Sequence, residues 1–335
     1  MIESISRERV QTLLEAARGC RIAVIGDAML DVYLRGDVDR ISPEAPVPVV
    51  RITDRKLALG GAANVAVNVL SLGAQVRLIG VCGQDRAGNV LRELLAGDGI
   101  DTSSLVLCPE RPTTSKIRVM AGQQQIVRVD TEDRSALPAD CRAELLARFG
   151  RLLETCDICV FSDYGKGVVS SEFCRLALSQ AQARNRRVLV DPKGLDYAKY
   201  TGCSLIKPNL KEAGHAANTA IDSESTLFEA GSKLLRQLPG SSVMVTRGPD
   251  GMTLFEPGER PVTVPTVAQQ VFDVVGAGDT AMAALAIALA AGLSIRDAMR
   301  IANVAAGIAV GKPGTVAVTL EELLMHCEIP ESVRV

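Results

Sequence analysis

Residues 271–292 read VFDVVGAGDTAMAALAIALAAG. A β-branched run meets a Gly-Ala-Gly corner, one carboxylate follows at Asp279, and a strongly apolar helix begins. Glycines let backbone N–H groups turn toward a ligand. A helix N-terminus adds partial positive charge and unpaired donors. Together Gly276, Ala277 and Gly278 make an anion hole suited to a migrating phosphoryl group. The macrodipole is expected to lower the pKa of Asp279 and keep it ionised at neutral pH. A carboxylate beside an anion hole repels phosphate unless it takes up a proton, and the natural donor is a substrate hydroxyl. The stretch therefore suggests a base for a hydroxyl attacking phosphorus. Taken alone, GxGD is a weak signal, because Asp is also a favoured N-cap and plain helix capping is the alternative.

Three companion motifs bear on that choice. GGAANVAVN (60–68) places Gly60 and Gly61 where backbone can approach a small ligand, with Asn64 and Asn68 four apart on one helix face. NLKE (209–212) sets Asn209 and Glu212 three apart near a strand end, a pair suited to hydrated magnesium and phosphates. VTRGPDG (245–251) offers Thr246, Arg247 and Gly248 for nucleotide phosphates.

These groups need a scaffold, and most of the chain alternates strands with helices. RIAVIGD (21–27), QVRLIGVCG, CDICVFSDYGKG, RRVLVDPKG (186–194), CSLIKPNLKEAG (203–214) and SSVMVTRGPDGMTLF (241–255) read as strands or strand–loop units. GGAANVAVNVLSLGA (60–74) and two late segments, about 280–292 and 296–311, read as helices. The alternation predicts an α/β three-layer sandwich, a mostly parallel central sheet with helices on both faces. Ligands then bind beyond the carboxyl ends of the strands. Those ends carry GD, SDYGKG, DPKG, KPN, TRG and GAGD, which predicts one polar site along a single sheet edge.

Two segments, 30–53 and 112–130, have period-two character instead. In the second, Lys116 and Arg118 share one face, with Ile117 and Val119 on the other. A small sheet with a basic and an apolar face fits a lid, formed by about 31–56 and 112–130. The basic face would cover an anionic substrate, and the apolar face would pair with a second subunit as a homodimer. Two ordinary surface hairpins are the alternative.

Composition removes several classes. The 335 residues carry a formal net charge of -2 and 3% aromatics, so neither a basic field nor stacking platforms point to nucleic acid. The N-terminus lacks the long apolar run of a signal peptide, and no stretch reaches the roughly 20 apolar residues of a membrane span. Nine scattered cysteines suggest reduced thiols in a cytoplasmic protein. The one CxxC, Cys156–Cys159, lies in an apolar strand-like run, which disfavours a redox or zinc role. The turn after the first strand is GDAML rather than G-x-G-x-x-G, and neither a Walker A loop nor the protein-kinase signatures occur.

GGAAN early and DVVGAGDT late, with NLKE between them, resemble the ribokinase-like (PfkB-type) carbohydrate kinases over nearly the whole chain. The resemblance implies ATP and Mg2+ as cofactors, Asp279 as the base and Gly276, Ala277 and Gly278 as the anion hole. It assigns Asn209 and Glu212 to the magnesium-nucleotide, Thr246, Arg247 and Gly248 to phosphates, and Asn303 and Gly307 to the adenine. Asp27, Asp31, Gly60, Gly61 and Asn64 would lie at the sugar. Val275 stands where many relatives carry Thr. The missing hydroxyl bears on a neighbouring monovalent-cation site and puts potassium dependence in question. RISPEAPVPVV, SDYGKG, DPKG, KPNLKE and PTVAQQVFDVVGAGDT narrow the resemblance to the heptose-phosphate branch of that family. Its members phosphorylate the anomeric C1 hydroxyl of D-glycero-D-manno-heptose 7-phosphate, as the β anomer, for the lipopolysaccharide inner core. In some relatives a nucleotidyltransferase domain follows. With only a helix and tail after GKPGT, the expectation here is one kinase domain over 1–335 and no second catalytic domain. A phosphorylated substrate needs cations at the far end of the site, and Lys116, Arg118, Lys166 and Lys193 are the candidates. Serving the nucleotide phosphates is the alternative for Lys193, and any of the four is otherwise a solvated charge. Another sugar or sugar-phosphate kinase of the same fold is the alternative reading, and a non-catalytic sugar- or nucleotide-binding regulator the remote one.

Overall fold

The structure is a computed structural model that describes residues 7–268, 271–312, 314 and 316–327. Helix α1 (Arg7–Ala17) leads into β1 (Arg21–Gly26), β2 (Ala28–Ile41), β3 (Pro48–Gly61) and α2 (Ala62–Ser71). Next come β4 (Gln75–Ile79), β5 (Val81–Cys82), α3 (Arg86–Gly97), β6 (Val106–Leu107), β7 (Ser115–Ala121) and β8 (Gln124–Thr131). The middle of the chain forms α4 (Ala139–Leu152), β9 (Ile158–Ser162), α5 (Ser171–Ala183), β10 (Arg187–Asp191), β11 (Leu205–Ile206) and α6 (Leu210–Ala216). It closes with α7 (Glu224–Gln237), β12 (Ser242–Thr246), β13 (Met252–Phe255), β14 (Val262–Val264), α8 (Ala277–Ala290), α9 (Ile295–Val310) and α10 (Leu320–Cys327).

Eight strands form the main sheet in the order β14-β13-β12-β11-β10-β9-β1-β4. Every pairing from β4 to β12 is parallel, and β13 and β14 add an antiparallel edge. Strand alternation sends side chains to two cores. Ile22 and Val24 of β1 join the layer of α2, α8 and α9, while Ala23 and Ile25 join that of α4, α5 and α7. The predicted sandwich is therefore observed. No described helix is long and apolar enough to cross a membrane. The eight cysteines whose side chains are described are all free and buried, with Cys156 and Cys159 Sγ 3.5 Å apart inside the protein.

The second sheet has the order β3-β2-β7-β8. Its first strand starts at Ala28, directly after Asp27, and its second ends at Gly61, where α2 begins. The small sheet thus joins the GD turn after β1 to the GGAAN motif, and its first two strands span slightly more chain than the 31–56 expected. Register sets Asp31, Lys116 and Asp130 in one row across three strands, and Lys56, Tyr33, Arg118 and Arg128 in the next. The alternate row, Leu57, Val32, Ile117 and Val129, belongs to the opposite face, as does Val127. Val127 and Val129 are about half exposed, at 48% and 50%.

Candidate active site

The site forms where α8 begins. Gly276 adopts φ 84° as its N-cap, and no side chain caps the helix. That leaves the first-turn N–H groups without intrahelical acceptors. From Asp279 to Leu289 every residue of α8 is buried, and its alanines allow close packing on α2 and α9. The helix begins three residues earlier than the sequence suggested, so Ala277, Gly278 and Asp279 all belong to its first turn. Asp279 is therefore not the cap. Its carboxylate turns away from the helix, accepting from Tyr164 Oη at 2.6 Å and from Asn64 Nδ2 at 2.7 Å. Asn64 is steadied in turn by Asn68, whose Nδ2 donates to the Asn64 carbonyl at 2.9 Å. Thr280 Oγ1 donates to Asn68 Oδ1 at 2.8 Å and closes the chain.

The expected depression of the Asp279 pKa is not found. Burial disfavours the charged form and raises it, outweighing the hydrogen bonds from Tyr164 and Asn64 and the nearby Lys207, which act the other way.

Beyond the strand ends lies a cavity of about 810 Å³, lined by Tyr164, Asp191, Lys207, Thr246, Gly276, Gly278 and Asp279 among others. Residues from five of the six quoted strand ends, SDYGKG, DPKG, KPN, TRG and GAGD, line it, whereas Asp27 of the GD end lines a separate small pocket. Lys207, 3% exposed, holds its Nζ 3.1 Å from Asp191 Oδ2. A Cβ built on Gly278 would lie 3.7 Å from that Nζ, so the ammonium sits beside the helix start. Burial pushes the Asp191 carboxyl up to about 6, with Lys207 opposing. The sequence reading passed over Tyr164, Asp191 and Lys207. All three lay inside quoted strand-end motifs, SDYGKG, DPKG and KPN, but nothing in one sequence tells which strand-end residue faces inward.

The nucleotide-side candidates line this same cavity. Asn209 and Glu212 form a reciprocal capping box at the start of α6, with bonds of 2.9 and 3.1 Å. Lys193 Nζ lies 2.7 Å from Glu212 Oε1 and lines the same cavity. Arg247 donates to Thr253 Oγ1 at 3.2 Å beside Thr246 and Gly248. Asn303 donates to the Pro265 carbonyl at 2.7 Å, and at Gly307 a Cβ would come within 2.8 Å of Val267 Cγ2. Val275 N donates to Asp273 Oδ1 at 2.9 Å in the loop leading to Gly276. Among the described residues no group of three or more acidic, His or Cys side chains forms a metal site. One carboxylate and one amide suit a hydrated magnesium ion held mainly by nucleotide phosphates.

The sugar-side candidates divide. Asp31 accepts from Arg118 Nη1 at 2.7 Å, and a Cβ on Gly60 would press within 2.7 Å of Asp31 Oδ2. Gly61 has φ 58°, and a Cβ there would lie 2.3 Å from the Asp27 carbonyl oxygen. Lys116 places Nζ 5.8 Å from the Tyr164 ring centroid. Its pKa is lowered by burial, with Asp31 opposing and Lys166, Arg118 and Arg128 adding to the depression. Arg128 is a cation the sequence reading did not select, and only the strand register puts it opposite Arg118.

Three expected sugar contacts are already committed elsewhere. Asp27 accepts from the backbone N–H groups of Tyr164, Lys166 and Val168 at 2.9, 3.0 and 3.1 Å, so its carboxylate anchors the 164–168 loop. Asn64 holds Asp279. Lys166 pairs with Glu132 at 2.5 Å, which neutralises it as a phosphate ligand.

The model of the "pfkB family carbohydrate kinase" matches residues 20–322. The chain is 46% identical to "Bifunctional protein HldE" of Caulobacter vibrioides over 93% of its own length and 64% of that protein. It is 42% identical to the protein of the same name from Geobacter sulfurreducens, over 96% of this chain and 65% of that one. The chain thus spans less than two thirds of the length of these relatives. Among solved structures, Arabidopsis thaliana ribokinase complexed with ribose and ATP aligns with a TM-score of 0.74 at 20% identity, over 93% of this chain and 99% of that one. Escherichia coli phosphofructokinase-2 with substrates and products aligns with a TM-score of 0.77 at 22% identity, over 92% and 98%. These structures share the fold, and the family match and the curated relatives assign the sequence: this chain belongs to the pfkB family of carbohydrate kinases.

Proposed function

We propose that this protein transfers the γ-phosphoryl group of ATP to the C1 hydroxyl of D-glycero-D-manno-heptose 7-phosphate. The product is the 1,7-bisphosphate, made as the β anomer for ADP-heptose and the lipopolysaccharide inner core. One observation carries the chemistry. Asp279, held by Tyr164 and Asn64, stands at the first turn of α8 beside Lys207, between the 810 Å³ cavity and the basic lid face. A nucleotide in the cavity and a sugar under the lid would meet at that carboxylate. The C1 oxygen gives its proton to Asp279 and bonds to the γ-phosphorus. The bridging P–O bond breaks, and its electron pair leaves with ADP. The first-turn N–H groups and Lys207 face the charge on the migrating group. Asn209 and Glu212 would hold the nucleotide's magnesium ion through water, and that ion supplies charge neutralisation at the phosphates.

The heptose 7-phosphate assignment rests on the motif resemblance and on the HldE relatives, with the lid cations as physical support. Lys116, Arg118 and Arg128 share one face, with Arg118 paired to Asp31 and Arg128 to Asp130, so a bound dianion would compete with those carboxylates for the two guanidinium groups. A closed lid would exclude water and limit ATP hydrolysis. The apolar lid face would pair with a second copy, and the enzyme would work in the cytoplasm. The test is a panel of sugars and sugar phosphates assayed with radiolabelled ATP, the product position being read by phosphorus NMR. Heptose 7-phosphate should give the highest kcat/KM with label at C1. Preference for an unphosphorylated sugar would overturn the assignment.

A further inference from the structure

We propose that Tyr164 is a positioning residue for this base, resting on the reading above: its hydroxyl fixes the rotation of the Asp279 carboxylate and holds it in the ionised, proton-accepting form. The bond from Tyr164 Oη to Asp279 Oδ1 is 2.6 Å, within the short range of hydroxyl–carboxylate hydrogen bonds. Asn64 grips the other oxygen from α2, at 2.7 Å. With one donor the carboxylate could swivel about its Cβ–Cγ bond. Donors from two separate elements define its plane and leave its remaining lone pairs for an acceptor hydroxyl.

Tyr164 is itself held from behind. Its N–H donates to buried Asp27, which also takes the N–H groups of Lys166 and Val168. The burial of Asp27 at the end of β1 thereby acquires a purpose at the reaction centre, since it sets the loop that aims the tyrosine. The ring face carries Lys116 Nζ from the lid at 5.8 Å, so one side chain contacts both the base and the basic face. Burial and the neighbouring carboxylates Asp279, Asp191 and Asp31 push the phenol well above its ordinary range, which keeps it a donor rather than a competing base.

The other charged groups around Asp279 are Lys207 after β11, Asp191 on β10, Asp31 on β2 and Lys116 on β7. All remain when only the phenol oxygen is removed. Tyr164→Phe should therefore lower kcat about tenfold or more while leaving KM for ATP unchanged. It should also move the acid limb of the kcat/KM profile to higher pH, because the anion loses a donor. A tyrosine that merely packs would change melting temperature and turnover without moving that limb, and an unmoved limb overturns the proposal. If Tyr164→Phe does not fold, 3-fluorotyrosine replacing every tyrosine supplies a stronger donor and should move the limb to lower pH. No movement would again overturn it. The profiles use whichever sugar phosphate in the panel turns over fastest, so a wrong substrate identity leaves this comparison intact.

Discussion

Asn64 and Asp279, 215 residues apart in the chain, are joined by a 2.7 Å hydrogen bond from Nδ2 to Oδ2. It ties the early GGAAN motif to the late GAGD motif, where α2 packs on α8. An amide here donates to the carboxylate, whereas a second carboxylate would compete with it for one proton. Asn64→Asp should therefore raise the pKa of Asp279 further and lower kcat at neutral pH by about 10²-fold or more. Steady-state kinetics across pH would check this. Unchanged turnover and an unmoved acid limb would refute it.

Asp279 itself should govern the acid side of the wild-type profile. Its pKa is raised, chiefly by burial. A base must be unprotonated, so kcat/KM should fall as pH drops through this raised pKa. Asp279→Asn should lower kcat by about 10²–10⁴-fold with little change in either KM, because the amide keeps the shape and cannot take the proton. Near-normal turnover in that variant would exclude the base role.

The lid cations should act on binding of the acceptor. Lys116 and Arg118 share the basic face and lie outside the nucleotide cavity. Lys116→Met should raise KM for the sugar phosphate about tenfold or more and leave KM for ATP unchanged. Turnover of the sugar lacking its terminal phosphate should be unaffected. Equal losses with both sugars would show that Lys116 supports the lid rather than the phosphate.

Much of this was legible in the residues because backbone rules act locally. The strand–helix alternation marked the sandwich, and period two marked the second, smaller sheet. Gly61 needed a positive φ, and Gly276 a left-handed cap. What stayed hidden depends on distant partners. Asp27 reads as a strand-end acid, and only the folded loop reveals that three N–H groups consume its oxygens. Lys166 reads as a glycine-loop cation until Glu132 is seen against it. The helix end suggested a lowered pKa for Asp279, yet the depth of burial, a property of the whole fold, reverses the sign.

The apolar lid face supports a last prediction. Val127 and Val129 are half exposed beside Val119 and Ile117 on adjoining rows of β7 and β8. A two-sided sheet with one face apolar gains by covering that face, and a second copy supplies the same face by two-fold symmetry. The protein should therefore sediment as a dimer at micromolar concentration. Val129→Glu would place a carboxylate in the covered face, twice per dimer by symmetry. Desolvating those charges should raise the dimer Kd about a hundredfold or more. Sedimentation equilibrium of both proteins, with melting curves to confirm folding, reads this directly. A wild-type monomer, or a Val129→Glu variant of undiminished mass, would refute the pairing. If pairing also steadies the lid, the variant should show a raised KM for the sugar phosphate and an ATP KM that does not move.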